Sequence, residues 1–196
     1  MVDAGGANIG SVRYALQRLG VEPELTTDAA VIGAADRVIL PGVGTAALVM
    51  QRLRELDLVQ ALRELQAPLL GVCVGMQVLF EHSEEDDTAC LGLLQGRVTR
   101  LAASAGIRVP HMGWNALKFA APSALAEDIA AAGGHAYFVH SYAAPVSADC
   151  LASCTHGQPF AAVVARGNVA GAQFHPERSA AVGAALLRSF LQGPLA

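Results

Sequence analysis

The sequence predicts a single-domain α/β protein that has a mostly parallel open sheet, flanking helices and an antiparallel extension. Two short apolar runs in the first half, residues 37–40 and 68–72, are typical of buried parallel strands, and amphipathic helical segments alternate with them. In the second half, strand-like runs follow one another directly, which is typical of antiparallel hairpins. A chain of 196 residues is long enough for one hydrophobic core, so we assign residues 1–196 to one domain.

The first half of the chain begins with a glycine-rich turn at residues 5–10 that leads into a helix. This segment superficially resembles a phosphate-binding loop, but it lacks the Lys-Ser/Thr ending and the spacing of a dinucleotide fingerprint. Residues 11–20 place Val12, Leu16 and Leu19 on one helical face and end at a glycine. The elements predicted next are a strand at 37–40 that is cut off by Pro41-Gly42, a helix at 45–65, a strand at 68–72, a helix at 74–81 and a solvated acidic loop at 84–87.

The second half of the chain is dominated by strand signals. Gly167-Asn168 forms a turn between the last two of these strands. The predicted strands are 94–101, 114–119, 136–142, 150–155, 160–166 and 169–174, and a helix at 179–191 closes the chain.

The composition excludes several classes of protein. Hydrophobic residues make up 53% of the chain and charged residues 15%, which is typical of a folded protein and not of a disordered one. The net charge of −4 argues against nucleic acid or anionic lipid as the main partner. The longest apolar stretch, residues 69–80, is too short to span a bilayer, and no signal-peptide pattern opens the chain. We therefore expect a cytoplasmic protein that acts on a small molecule.

The four cysteines raise the question of disulfides or a metal site. Disulfides are not expected in a reducing compartment. Cys150 and Cys154, followed by His156, have the spacing of half a zinc site, but no second pair of ligands accompanies them. The favoured interpretation is that they are small buried residues of a strand. No metal and no cofactor is predicted.

The most informative stretch of the sequence surrounds Cys73. A strand leads into Gly71-Val72-Cys73-Val74-Gly75, and a helix follows, which is the pattern of a nucleophile elbow with Cys at the place of Ser. A strained turn of this kind exposes the side chain, and only glycine fits at its crowded neighbours. The helix N-terminus favours the thiolate, and the Val74 N–H is placed to stabilise an oxyanion. By itself the motif leaves a buried structural cysteine equally open.

A base and its orienting group follow about a hundred residues downstream, in Gln173-Phe174-His175-Pro176-Glu177. His175 can accept the thiol proton and later donate it to a leaving group. Glu177 can hold the imidazole in the required tautomer, and Pro176 restricts the turn between them. Together with the elbow, this segment predicts a Cys73–His175–Glu177 triad.

With these motifs the chain resembles the class I (triad) glutamine amidotransferases, whose signature is the G-x-C-x-G elbow with a late His-x-Glu. The resemblance implies hydrolysis of glutamine through a cysteine thioester and delivery of ammonia to a synthase partner. It extends over essentially the whole chain, from Asn8 to the last helix. One branch of the family, in which the glutaminase forms a heterodimer with a cyclase subunit, is matched more closely; the matching segments are 41–44, 110–115, 137–142 and 173–179.

The resemblance also implies roles for residues outside the triad. Val43 is expected to supply an oxyanion-hole amide together with Val74. Residues expected to bind glutamine are Gly42, Gly44, Gln77, His140, Ser141 and Tyr142. Residues expected to face the cyclase partner are Trp114, Asn115 and Arg178.

Two alternatives remain open at this point. A glutaminase of the same family could serve another synthase, such as the one that makes pyridoxal phosphate, although residues 110–115 argue against it. A cysteine peptidase or esterase could use a similar elbow without a partner. The chain also departs from the family at its N-terminus, where only Met1-Val2 precede Asp3 and several apolar residues are usual. Either the start site of the sequence is misplaced, or the first strand is expected to be a short stub. No role is assigned to the loop at residues 81–91.

Overall fold

A computed structural model of the chain describes residues 1–5, 9–120 and 123–195. Part of the predicted turn at residues 5–10, namely residues 6–8, lies outside the described residues. The helices are α1 Ile9–Gln17, α2 Ala29–Ala34, α3 Ala46–Glu55, α4 Leu58–Arg63, α5 Val74–Gln77, α6 Ala124–Ala131 and α7 Ala180–Gln192. The strands are β1 Val38–Gly42, β2 Leu69–Cys73, β3 His82–Ser83, β4 Thr88–Ala89, β5 Arg97–Arg100, β6 His111–Ala116, β7 Lys118–Phe119, β8 His135–His140, β9 Tyr142–Ala143, β10 Cys150–His156, β11 Gln158–Arg166 and β12 Val169–Ala172.

The main sheet has the strand order β1-β2-β12-β11-β10-β7. β1, β2 and β12 are parallel neighbours, whereas β11, β10 and β7 continue the sheet in antiparallel pairs. The predicted α/β class with an antiparallel extension is therefore confirmed, and the extension is as wide as the parallel part among the described strands. Every residue of β1, β2 and β12 is buried, which explains their continuous apolar sequences.

Two smaller sheets complete the described structure. One has the order β4-β3-β5-β9, and the other is the two-stranded antiparallel ribbon of β6 and β8. Ahead of these elements, Val2 forms only a single parallel bridge to Thr26 and donates its N–H to Ile39 O at 2.9 Å. The first strand is thus as short as expected. None of the described helices is long and apolar enough to cross a bilayer.

The structure corrects the prediction of one helix at residues 45–65. Thr45 caps α3 through a hydrogen bond from Leu48 N, but α3 ends at Glu55 and α4 begins at Leu58. Asp57 between them has a φ of 55°, in the left-handed region, which breaks the helix. Both helices have buried leucines, Leu53 in α3 and Leu58 and Leu62 in α4, so apolar residues continue across the break and conceal it.

Other boundaries also differ from the predictions. Pro41-Gly42 does not cut off the first strand but belongs to β1, where Pro41 lies beside Val72. The helix predicted at residues 74–81 ends at Gln77. The helices α2 and α6 were not predicted, since their alanine-rich sequences carry little period, although Asp28 and Ser123 are ordinary N-caps.

Candidate active site

The nucleophile candidate Cys73 ends β2 with a φ of 55° and a ψ of −114°, a strained conformation for a residue other than glycine. The close packing around it explains the flanking glycines. A Cβ at Gly71 would lie 2.6 Å from Gly75 O, and a Cβ at Gly75 would lie 2.0 Å from Leu40 O. The elbow is therefore wedged against β1, and α5 begins directly behind the sulfur. This is the strand–turn–helix arrangement that the sequence predicted for a nucleophile elbow.

His175 and Glu177 follow β12, which is the parallel neighbour of β2. Because carboxyl ends of parallel strands meet at the same edge of a sheet, His175 lies next to Cys73, and its ring hydrogen-bonds the thiol. Its Nδ1 lies 3.0 Å from Glu177 Oε1, which leaves Nε2 for the sulfur. The Glu177 side chain is only 3% exposed. The structure thus brings together the three residues predicted as a triad.

The backbone of His175 is held by the β6–β8 ribbon. Its N–H donates to Tyr137 O at 3.0 Å, and its carbonyl accepts a hydrogen bond from Ser179 Oγ at 2.7 Å. Ser179 Oγ in turn accepts a hydrogen bond from Tyr137 N at 2.9 Å. A Cβ at Gly183 of α7 would lie 1.8 Å from Pro176 O, so α7 packs directly against the turn between His175 and Glu177. The position of the imidazole therefore depends on two elements besides its own.

The electrostatic environment favours a protonated His175. Burial of the ring opposes its charge, but hydrogen bonds to Cys73 and Glu177, with the charges of both, outweigh burial and raise the pKa of His175 to about 10. An imidazolium in contact with a thiol sulfur stabilises the thiolate, which is the nucleophilic form of cysteine. The same imidazolium can afterwards protonate a leaving amine.

The sulfur and the imidazole open into a cavity of about 470 Å³. This volume lies within the range of ~300–1,000 Å³ that is usual for small-molecule sites. Its lining consists of Val43, Gly44, Cys73, Val74, Glu85, Pro110, Val139, His140, Ser141, His175, Glu177 and Arg178. A larger cavity of about 650 Å³ lies between the 21–26 segment, α2 and α7, but it contains neither the nucleophile nor the base.

The two residues predicted to form the oxyanion hole, Val43 and Val74, lie next to the elbow. The register of β1 and β2 places Gly42 beside Cys73, so that Val43 and Val74 leave the two strands side by side. Gly44 follows with a φ of 88°, which favours glycine, and a Cβ at Gly42 would lie 2.5 Å from Gly75 N. Both valines line the cavity together with the sulfur.

Comparisons with known proteins agree with this geometry. The family described as glutamine amidotransferase class-I matches residues 1–192. The chain belongs to the class-I glutamine amidotransferase family. It is 59% identical over 192 residues to the imidazole glycerol phosphate synthase subunit HisH of Xanthomonas axonopodis pv. citri, covering 98% of this chain and 96% of that protein. It is 58% identical to the subunit of the same name from Xylella fastidiosa strain Temecula1, with the same coverage.

Solved structures share the fold of this amidotransferase. A crystal structure of a glutamine amidotransferase superimposes with a TM-score of 0.75 at 23% identity, covering 97% of this chain and 96% of that one. The glutaminase domain of Trypanosoma brucei CTPS, solved with bound acivicin, superimposes with a TM-score of 0.64 at 14% identity, covering 97% and 90% of the two chains. At these identities the likeness concerns the fold alone.

The residues predicted to bind glutamine in this amidotransferase divide into two groups. Gly44, His140 and Ser141 line the cavity, whereas Gly42, Gln77 and Tyr142 are not part of its lining. Gln77 is 2% exposed and lies behind the wall, where its Nε2 donates to Tyr142 O at 2.8 Å and to Gln173 Oε1 at 3.0 Å. Direct contact of Gln77 with a substrate stays a prediction, whereas the structure shows it supporting the segment that carries Ser141 and Tyr142.

The residues predicted to face a partner also fall into two groups. Trp114 is 55% exposed and makes an edge contact with Tyr137, over whose ring Arg178 lies at 4.3 Å. Asn115 is on the opposite face of β6, where its Nδ2 donates to Thr155 O at 3.0 Å. Direct participation of the Asn115 side chain in an interface therefore has less structural support than that of Trp114 or Arg178.

Sequence reasoning missed Glu85, which belongs to the loop that was predicted to be solvated. Its carboxylate lines the cavity and accepts a hydrogen bond from Ala46 N, the first residue of α3, at 2.8 Å. Burial raises the pKa of this carboxyl. The hydrogen bond from Ala46 lowers the pKa, and the charge of Asp86 raises it further. The acidic run offered no signal to separate Glu85 from its neighbours, because only the folding of the loop turns one of the four carboxylates inward.

Proposed function

We propose that this chain is the glutaminase subunit of an imidazole glycerol phosphate synthase, which hydrolyses L-glutamine and delivers ammonia to a cyclase subunit in histidine biosynthesis. The observation that carries the proposal is the Cys73–His175–Glu177 arrangement at the edge of a cavity, in a chain 59% identical to synthase subunits over nearly its full length. Residues 1–196 would act as one domain, in the cytoplasm and in a heterodimer, without a cofactor.

The arrangement accounts for amide hydrolysis in two steps. The Cys73 sulfur attacks the side-chain amide carbon, and the oxyanion that forms accepts hydrogen bonds from the N–H groups of Val43 and Val74. His175 then protonates the departing nitrogen, the C–N bond breaks, and ammonia leaves a glutamyl thioester. The neutral imidazole next takes a proton from a water molecule, whose oxygen attacks the thioester carbon; the C–S bond breaks, glutamate is released, and the proton stays with the Cys73–His175 pair, which is thereby restored. Glu177 keeps the ring in one tautomer through both steps.

Glu85 fits recognition of the amino-acid end of glutamine. Its carboxylate lies in the wall of the cavity that also contains the sulfur, so that it can pair with the α-ammonium group while the side-chain amide reaches Cys73. The hydrogen bond from Ala46 holds the carboxylate to the start of α3. An amide that lacks the α-ammonium group would lose this interaction, which favours glutamine over simple amides and esters.

The partner surface would be the outer face of the β6–β8 ribbon. Met112 and Trp114 are 63% and 55% exposed, and Tyr137 and Arg178 continue the patch toward the cavity, which Arg178 also lines. Aromatic side chains, methionine and arginine are the residue types enriched at protein interfaces. A cyclase bound here would cover the mouth of the cavity and receive ammonia without its release to water.

The alternatives predict different behaviour in one assay. Glutamate release should be measured for the chain alone, with the cyclase subunit, and with the cyclase and its ribonucleotide substrate. We expect the last addition to raise the rate at least about tenfold, the scale of ordinary allosteric coupling. Val43 lies between two glycines, so its peptide can turn away from the site until the partner favours the inward state.

Two results would contradict the proposal. Full turnover by the isolated chain, or faster turnover of esters or peptides than of glutamine, would indicate an independent cysteine hydrolase. Activation by a pyridoxal phosphate synthase and not by the cyclase would assign the chain to another synthase of the same family. The 58–59% identity to synthase subunits favours the cyclase.

A further inference from the structure

A pair of buried histidines joins the glutamine cavity to the β6–β8 ribbon. His111 of β6 and His140 of β8 are register partners and are 4% and 6% exposed. They project from the inner face of the ribbon, opposite the exposed Met112 and Trp114, because side chains alternate along a strand. Phe138 stacks on His111, and Phe160 packs against both imidazoles. None of the triad chemistry uses this pair.

The hydrogen bonds determine the tautomer of His140. Its Nδ1 lies 2.9 Å from Tyr142 O, and a carbonyl oxygen can only accept, so Nδ1 carries the proton. A neutral ring with a proton on Nδ1 has a lone pair on Nε2. That Nε2 lies 3.1 Å from His111 Nδ1, and the lone pair requires a donor there.

The same reasoning determines the tautomer of His111. Since its Nδ1 must donate to His140, its Nε2 is the acceptor. Nε2 lies 3.2 Å from Asn115 Nδ2, an N–H donor whose orientation is set because Asn115 Oδ1 accepts from Ala116 N at 2.8 Å. The hydrogen bonds therefore run in one direction, from Asn115 through His111 and His140 to the carbonyl of Tyr142. The direction is consistent only if both rings are neutral.

The surroundings keep both rings neutral. Burial, with the charge of the stacked His156, lowers the pKa of His111 to about 4. Burial lowers the pKa of His140 to about 3, against the opposing effect of its hydrogen bond to Tyr142 and in the same direction as the charges of His111, His156 and His175. The titratable neighbours of the pair are therefore other imidazoles, which disfavour a second positive charge.

We propose that His111 and His140 are positioning residues, a neutral imidazole pair with both protons on Nδ1 that holds Tyr142 and thereby the adjoining Ser141 in the wall of the glutamine cavity. Tyr142 O accepts from His140 on one side and from Gln77 on the other, so the two donors together set the direction of this peptide. Ser141, the residue before Tyr142, lines the cavity. The inference concerns the substrate of the proposed function and rests on it.

The pair also connects this wall to the exposed ribbon face. His111 immediately precedes Met112, and Asn115 immediately follows Trp114, so the two ends of the hydrogen-bonded chain on β6 flank the exposed residues. A displacement of His111 by a partner on this face would therefore strain its hydrogen bond to His140. Glutamine affinity and partner binding would then be coupled through this hydrogen-bonded chain.

The first test reads the tautomers directly and does not depend on activity. Two-bond ¹H–¹⁵N spectra of the full chain labelled at histidine nitrogens should show two neutral rings protonated at Nδ1, with unchanged shifts between pH 5.5 and 8. The His111→Asn and His140→Asn variants assign the two signals. A proton on Nε2 of either ring, or titration of either ring in this range, would overturn the proposal.

The second test compares His111→Phe with His111→Asn in the complex with the cyclase. Asn retains an N–H near the position of Nδ1, whereas Phe keeps the ring shape and removes the donor. We expect the KM for glutamine to rise at least about threefold in His111→Phe with little change in kcat, and to stay within about twofold of the parent in His111→Asn. Equal KM values for the two variants would refute the inference.

The outcomes separate this inference from the proposed function. If the parent chain hydrolyses no glutamine with its cyclase, the proposed function fails, while the spectra still report on the pair. If the parent is active and His111→Phe and His111→Asn behave alike, only the inference fails. Thermal melts identify a variant that does not fold, and in that case the tautomer measurement on the parent chain decides.

Discussion

At the scale of single residues, the environment of each cysteine predicts its reactivity. Among the cysteines of the chain, Cys73 is the one that hydrogen-bonds His175, and it lines the cavity that contains this imidazole. Burial raises the pKa of the Cys90 and Cys154 thiols to about 11 and also raises that of Cys150. These thiols stay protonated at neutral pH, which makes them poor nucleophiles.

A glutamine-like electrophile should therefore label Cys73 and leave the other thiols unmodified. Cys73→Ala should abolish both labelling and glutamine hydrolysis, with a loss of at least about a thousandfold. Peptide mass spectrometry locates the label, and Cys90→Ala is the matched control that should retain activity. Label spread evenly over the four cysteines would contradict an activated thiolate at Cys73.

The two other residues of the proposed triad differ in what their loss would remove. His175→Ala deletes the base, whereas Glu177→Gln leaves a neutral group at the distance of 3.0 Å that can still contact Nδ1. We expect Glu177→Gln to retain roughly ten to a hundred times more activity than His175→Ala, because the acid of a triad is usually its least costly member. Steady-state glutamate release with the cyclase measures this. Equal or inverted losses would mean that the roles are misassigned.

The raised pKa of His175 also predicts how stability depends on pH. A group with a folded-state pKa of about 10, above its ordinary 6.5, stabilises the fold fully below pH 6.5 and loses this effect as pH rises through about 10. Glu177→Gln should lower that pKa, so the stability difference from the parent should be largest near pH 6.5 and shrink toward pH 10. Urea unfolding at several pH values measures it. Exposed Glu127→Gln should show no such trend.

At the scale of elements, the site depends on close backbone contacts between segments that are distant in sequence. α7 reaches the Pro176 carbonyl at Gly183, and the elbow reaches β1 at Gly75. Both contacts leave no space for a Cβ. Helix α7 thereby holds the turn that carries His175 and Glu177, and β1 holds the turn that carries Cys73.

The contact at Gly183 gives a prediction with an internal control. Gly183→Ala would place a Cβ 1.8 Å from Pro176 O, so it should destabilise the protein by about 1–3 kcal/mol and reduce glutamine hydrolysis by displacing the turn. Gly33→Ala, in α2, would place its Cβ where no atom lies within 4 Å, so it should be neutral or stabilise by about 0.5–1 kcal/mol. Thermal unfolding compares the two. A stable and fully active Gly183→Ala would rule out this dependence.

At the scale of the whole molecule, the exposed side chains of Trp114 and Arg178 form a patch with the half-buried Tyr137 beside the opening of the cavity. The proposed heterodimer would use this patch both to bind the cyclase and to close the site. Arg178 directly follows Glu177 in the sequence, so the proposed interface and the proposed triad adjoin at this residue.

Arg178→Ala should therefore weaken ammonia transfer more than it affects the fold. In the complex, we expect the ratio of glutamate to cyclase product to rise about two- to tenfold, since ammonia escapes from a looser interface. The melting temperature of the isolated chain should not change. Arg188→Ala, an exposed arginine on α7, is the control and should leave the ratio at the parent value. An unchanged ratio in Arg178→Ala would contradict the role.

The sequence by itself determined the local chemistry of this protein. Gly71-Val72-Cys73-Val74-Gly75 predicted an elbow, whose contacts only glycine tolerates, and the late His175-Pro176-Glu177 predicted a base with its acid. Strand and helix periods were sufficient to predict the α/β class and most strands, whereas the motifs around Cys73 and His175 carried the resemblance to the family that is now confirmed. They failed at Asp57, where a left-handed residue breaks the helix without disturbing the apolar period.

Only the tertiary structure decided which distant residues meet. The parallel pairing of β2 and β12 brings His175 to Cys73, the folded 81–91 loop turns Glu85 into the cavity, and the register of β6 and β8 sets His111 against His140. Contacts of this kind depend on strand order and register, and the hydrophobic periodicity of a single segment predicts neither of them. A carboxylate or an imidazole becomes part of the site only when another segment of the chain provides the group that it contacts.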